Sequence, residues 1–225
     1  MRKITLYSEL AYVIATVILA FAVSMVSAAD FGLSMIVAPA YILSQKLEFL
    51  TFGQSEYVVQ LILFILLCVL MKKIKLIYFV SFLNCVVYGA VLDFWRFVVP
   101  AFNPDITEPG SMSMPVRIVF FIIGIIITSF AIALFFRTYL YPQVYDFFVI
   151  GITEHFKIDK TKFKIIFDLS FFVLAVVMTL AFFKSFVGIG VGTIIITVLN
   201  GVLIGGAGKI IDKFFDIKPR FTNLA

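Results

Sequence analysis

Charge is what this sequence most lacks. Of its 225 residues only 14% are charged and 63% are hydrophobic, whereas soluble domains carry about 25% charged and roughly 45–50% apolar residues. A globule of this length cannot hide such an excess, and the exposed remainder would aggregate, so a soluble enzyme and a disordered chain are both excluded. Cysteine is nearly missing. Cys68 and Cys85 lie in apolar runs and read as small core residues, which excludes a disulfide scaffold. The single histidine, His155, cannot build a metal cluster at a membrane edge, and no Ser/His/Asp set or phosphate loop is recognisable. The expectation is a protein that is not an enzyme and uses no cofactor or metal.

Long apolar runs fill the space that charge leaves. A helix of ~20 apolar residues crosses a bilayer core of about 30 Å. Six runs qualify: Leu10–Ala29, Tyr57–Met71, Leu76–Val98, Val116–Phe136, Phe163–Phe183 and Phe186–Gly208. The second is the shortest and must borrow flanking residues or tilt little. Two further stretches are more polar, Phe31–Leu50 with Pro39 and Thr138–Phe156 with Pro142, and each carries a proline where a helix can begin. They read as short re-entrant or interfacial helices. The expected fold class is therefore an all-α polytopic membrane protein of six transmembrane helices plus two short ones. It divides into a first membrane repeat (1–99), an external loop (100–115) and a second repeat with a basic tail (116–225). Arg2, Lys3 and Val26-Ser27-Ala28 also sketch a cleavable signal peptide, but the run is long for one and starts after Glu9.

The net charge of +5 falls between the apolar runs, which reads as orientation in a membrane and not as a nucleic-acid face. With six helices starting inside, the inner segments hold Arg2 and Lys3, Lys72, Lys73 and Lys75, Arg137 with the Lys157–Lys164 cluster, and the tail from Lys209 to Arg220. Only Lys46, Arg96, Arg117 and Lys184 are left for the outer side. Both termini are expected in the cytoplasm, where the basic segments suit anionic lipid head groups.

The two halves resemble each other. Tyr57-Val-Val-Gln60-Leu-Ile-Leu-Phe can be laid on Ile165-Ile-Phe-Asp168-Leu-Ser-Phe-Phe, and Leu83-Asn84 with Gly89 on Leu199-Asn200 with Gly205, at the same Asn-to-Gly spacing. Three crossings per half would invert the second repeat relative to the first, a plan that places a site at the midplane of many secondary transporters.

Polar residues inside the runs are the site candidates. Asp168 is either a proton, cation or cationic-substrate site, or a hydrated carboxylate beside Lys164 on the same helical face. Asp146 is carried inward if its segment re-enters and is solvated if it does not. Gln60, Asn84 and Asn200 either fix packing through interhelical hydrogen bonds or bind a ligand. Gly190 and Gly192 open a glycine-rich sixth run in which Gly188-xxx-Gly192 and Gly201-xxx-Gly205 permit close packing or local unwinding. Asp93 and Arg96, three residues apart, read as an ion pair at the outer rim.

Three stretches together resemble the YczE/YyaS/YitT-type bacterial integral membrane proteins: Leu83-Asn84 with Gly89 and Asp93, the carboxylate Asp168 in the fifth run, and Val187-Gly-Ile-Gly-Val-Gly-Thr193. In that family the fifth-helix carboxylate is commonly Glu, and each short segment tends to carry an acidic residue. Asp146 with Gly151 fits this, whereas Pro39 stands at the matching place in the first half. The resemblance implies a bacterial cytoplasmic-membrane protein of poorly defined activity. The function expected is a small-solute transporter, proton- or ion-coupled through Asp168, with a midplane wall of Gln60, Asn84, Asn200 and the glycine-rich start of the sixth helix. The alternative is a non-transporting regulator or accessory subunit that acts through its basic cytoplasmic surfaces.

Overall fold

The computed structural model describes residues 3–72, 76–108, 110–140 and 143–220. The expectations placed on Arg2, Lys73, Lys75 and Pro142 lie outside these. The described elements run β1 (Ile4–Tyr7), α1 (Ser8–Ala29), α2 (Ala38–Lys46), α3 (Phe52–Met71), α4 (Leu76–Val98), α5 (Met114–Phe135), α6 (Val144–Phe156), α7 (Lys160–Phe183), α8 (Val191–Phe214) and β2 (Phe215–Lys218). Six of the helices are long and apolar enough to cross a membrane, and the chain is a multi-pass membrane protein. At 9 and 13 residues, α2 and α6 reach only about 1.5 Å per residue and cannot span.

Local chemistry explains where the boundaries move. The second apolar run looked short because its helix begins at Phe52, five residues before the run does. Thr51 and Gln54 form a capping box: the Thr51 hydroxyl accepts from the Gln54 amide and the Gln54 side chain accepts from the Thr51 amide, both at 3.1 Å. That start brings Glu56 into the helix. The sixth run loses its first turn, because Gly188 adopts a left-handed φ of 72° and α8 starts only at Val191. Gly188-xxx-Gly192 is therefore a turn and not a helical packing face.

Helix α1 is the most buried of the six spans and lies along α5 and α4, while α8 packs on the far side of α5. A second group forms around α3, which touches α2, α4 and α6. Helix α7 is held by α2 and α6 and not by its neighbour in sequence, α8. Many outward side chains of α7 and α8 are large and apolar, such as Ile165, Val177, Val198 and Val202, as lipid-facing surface requires.

The seam between α3 and α4 is closed by two glycines. A Cβ on Gly53 would run into the carbonyl of Gly89, and one on Gly89 would strike the Tyr57 ring. Asp93 completes this seam by accepting from the Gly53 amide at 2.8 Å and from the Thr51 hydroxyl. It thus caps α3 in place of the expected pairing with Arg96, whose guanidinium lies 5.3 Å from the Phe52 ring centre. On α8 the contrast is plain: nothing approaches Gly201, Gly205 or Gly206 within 4 Å.

Two short strands, not expected from the sequence, close one end of the bundle. β1 pairs in parallel with β2, from Ile4 opposite Phe215 to Tyr7 opposite Lys218. The Glu9 carboxylate accepts from the Arg220 amide at 3.1 Å and from the Tyr139 hydroxyl at 2.9 Å, while Arg137 grips both oxygens of Asp212. The first and last described segments therefore meet in one clasp.

Candidate functional site

Both short helices begin inside the bundle. The turn Ser34–Val37 leads into α2, and its amides fold back: those of Val37 and Ala38 donate to the Ser34 carbonyl at 3.1 and 3.0 Å. Preceding residues are pinned to the entry of α8, where the Leu33 amide donates to Gly188 and the Gly192 amide donates to Phe31. Gly32 permits this crossing, since at its φ of 102° a Cβ would lie 2.5 Å from the Gly190 nitrogen. Helix α6 starts at Val144, with Gln143 as its N-cap, and is pinned by α3 instead. The Val144 amide donates to Gln60 Oε1 at 3.2 Å, and the Tyr145 hydroxyl donates to Glu56 Oε2 at 3.0 Å.

The starts of both helices border one cavity of about 350 Å³, which α1, α5, α7 and α8 complete. It extends from mid-helix positions such as Thr128 and Asn200 to Phe135 and Phe136 at the clasp end of α5. Its wall is apolar along α1 and α5, with Leu19, Val23 and Ile132, and polar where α6 and α7 meet. Lys164 and Asp168 face it from α7, Asp146 and Gln143 from the first turn of α6, and Asn200 from α8. Lys164 Nζ lies 2.9 Å from Asp168 and 3.9 Å from Asp146, so one ammonium serves two carboxylates. Burial raises the Asp146 carboxyl above the ordinary carboxylate range, against the pull of Lys164. Gln143 is 9% exposed, and its side-chain Nε2 has no hydrogen-bond partner among the described residues.

Of the residues singled out in the sequence, Asp146, Asp168 and Asn200 come together at this cavity. Gln60 does not line it. Its side chain joins Glu56 to α6, with Nε2 donating to Glu56 at 3.0 Å. Asn84 lies on the packed α1–α4 face, 3.0 Å from the Thr16 hydroxyl. Gly190 and Gly192 pack against the Phe31 carbonyl and, for Gly192, the Phe121 ring. Their role here is close approach of backbones.

Glu56 was missed. It is fully buried, its Oε2 is held by Gln60 and Tyr145, and its Oε1 has no partner among the described residues. The capping box at Thr51 would have revealed it, because a helix starting there places Glu56 four residues before Gln60 on one face. Gln143 was missed although it lies within the stretch Thr138–Phe156, because only the ionisable residues and the proline of that stretch stood out.

A family model for DUF6198, a family of unknown function, matches residues 6–209. The chain belongs to DUF6198. The match covers all six spans of this DUF6198 member and both short helices, from the start of α1 to the last turns of α8. It carries no support for the narrower YczE/YyaS/YitT naming. No curated protein and no solved structure matches the chain.

Proposed function

We propose that this protein is a small-solute transporter whose binding site is the cavity between α7 and α8, with Asp168 coupling transport to protons or ions. One observation carries the reading: three ionisable side chains and two amides, from three helices, surround open space inside an apolar bundle. Each ionisable group costs ~2.5–3.5 kcal/mol in a membrane helix on insertion scales, so such a gathering around a void points to use.

Inverted repeats support the same reading. The helices run long, short, long, long in each half, with 22, 9, 20 and 23 residues and then 22, 13, 24 and 24. Laying Gln60 on Asp168 also lays Glu56 on Lys164, and both pairs are in contact across one turn, at 3.0 and 2.9 Å. The α3–α4 seam is shut at Gly89, whereas its counterpart on α8, Gly205, meets nothing. A carrier with one seam shut and the other open is in one of its two access states. With the clasp in the cytoplasm of a bacterial cell, as the basic residues favour, that state faces inward. The regulator reading has weaker support. Part of the basic tail is already committed to the fold through β2 and Arg220.

Proteoliposomes loaded with a pH-sensitive dye test this. Amino acids, amines, carboxylates and sugars would be added outside in turn. One class is expected to change the lumenal pH, and Asp168→Asn to abolish that change in a protein that still folds. Unchanged proton movement in Asp168→Asn refutes the coupling role, and a folded wild type that moves no radiolabelled solute refutes transport.

A further inference from the structure

We propose that the cavity takes a small zwitterion, an amino-acid-like solute with an ammonium and a carboxylate on one apolar body; this rests on the transport reading above. The ammonium end follows from charge. Among the described residues the charged side chains in the wall are Asp146, Lys164 and Asp168, so two carboxylates face a single ammonium. Lys160, one turn before Lys164, is exposed and lies outside the wall, so solvent screens its pull on Asp146. A second ammonium between Asp146 and Asp168 removes the imbalance.

The carboxylate end follows from an independent feature. Gln143 is more than nine-tenths buried, lines the cavity, and carries an Nε2 donor that nothing among the described residues accepts. A buried donor without an acceptor is costly, so its partner belongs to the occupant. Gln143 is also the residue at which α6 begins, and the turn that opens α2 borders the same space. The positive end of α6 therefore adds to the amide in favouring an anionic group, whereas the amides that open α2 are already taken by the Ser34 carbonyl. A plain amine leaves this end unanswered, and a plain carboxylate would meet Asp146 and Asp168.

The body is apolar and small. Much of the remaining wall is apolar, with Leu19, Val23, Ile132 and Phe135 among the hydroxyls of Ser34 and Thr128, and about 350 Å³ lies near the lower end of small-molecule pockets. A branched aliphatic or single-ring side chain fits that volume.

Calorimetry on the full chain in lipid nanodiscs tests this with matched probes. One set is leucine, isopentylamine and 4-methylpentanoate; the other is phenylalanine, phenethylamine and 3-phenylpropanoate. In at least one set the zwitterion should bind about tenfold or more tighter than both relatives, as a charge-assisted hydrogen bond at each end requires. Gln143→Leu should bring the zwitterion down to the level of its amine, and Asp146→Asn should bring it down to the level of its acid. Equal or tighter binding of an amine or acid, or no binding in either set by a protein that melts cooperatively, overturns the proposal. Binding is read without flux, so the two readings fail separately. A zwitterion that binds but is never transported sinks the transporter and leaves this site standing. Transport of monovalent amines or acids alone does the reverse.

Discussion

The Tyr145 hydroxyl donates to Glu56 Oε2 at 3.0 Å, while its neighbour Asp146 lies 3.9 Å from Lys164. Consecutive residues of α6 thus answer to different helices, Tyr145 to α3 and Asp146 to α7. The first turn of α6 is a wedge between the two, and the cavity's polar wall stays in place only while both sides hold. Removing Glu56 would strip partners from the Gln60 amide and the Tyr145 hydroxyl together. Glu56→Ala should therefore destabilise the protein by ~2–5 kcal/mol, since each buried group left unpaired costs about 1–3 kcal/mol. Glu56→Gln retains an acceptor and should cost less than half of that. Unfolding in mixed micelles measures both, and equal losses would show that the carboxylate itself, and not its acceptor role, is required.

On the proposed repeat, Gly89 and Gly205 are counterparts, and their surroundings differ. Gly89→Ala drives a methyl group into the Tyr57 ring and the Gly53 carbonyl, and overpacking of that kind costs about 1–3 kcal/mol. Gly205→Ala meets open space and should stabilise the helix by up to ~1 kcal/mol. The transport reading adds a sharper expectation. If α7 closes onto α8 during the cycle, Gly205→Leu should leave the melting temperature near that of the wild type and reduce flux severalfold. Flux at the wild-type rate would mean that this face of α8 receives lipid throughout.

Much of the fold was legible because the bilayer enforces it: six long apolar runs with few charges admit almost no other arrangement. The two short helices were legible through their prolines and polar residues, although α2 begins at Ala38, well inside the stretch that started at Phe31. Asp146, Asp168 and Asn200 stood out because polar groups inside apolar runs need a reason. Glu56 did not, since it sits just beyond a run boundary drawn by hydropathy alone, and Gln143 did not, since a neutral amide in the more polar stretch Thr138–Phe156 draws no notice. Which polar residue faces a void and which faces a partner depends on helix rotation. Asn84 and Asn200 look alike in sequence, yet one meets Thr16 and the other the cavity. The strands β1 and β2 were invisible because two four-residue segments at opposite ends of the chain carry no local signal of pairing.

Truncation after Asp216 separates the two functional classes. It removes Ile217 and Lys218 from β2 and the Arg220 amide from Glu9. The clasp should loosen and the melting temperature should fall by a few degrees, with solute flux retained, because no described residue of the tail lines the cavity. A truncated protein that keeps its flux but no longer supports function in cells would instead favour a regulator acting through its basic end.

Binding should also depend on pH, with a sign fixed by Asp146. Burial holds its carboxyl above the ordinary carboxylate range, with Asp168 pushing it further up and Lys164 and Lys160 opposing. The ammonium of a bound zwitterion needs Asp146 ionised. As pH falls, Asp146 takes up its proton earlier than a solvated aspartate would, and affinity should drop already at a pH above the usual carboxylate value. Asp168 and Lys164 face the same space from α7, and Tyr145 and Tyr88 complete the wall, so the assignment needs a variant to isolate one group. Asp146→Asn should give weaker binding at neutral pH and a flatter profile over that upper range, because the group that titrates there is gone. Calorimetric titrations of leucine and phenylalanine at stepped pH provide the measurement. A profile as steep in Asp146→Asn as in the wild type would assign the titration to another group and remove Asp146 from the ammonium subsite.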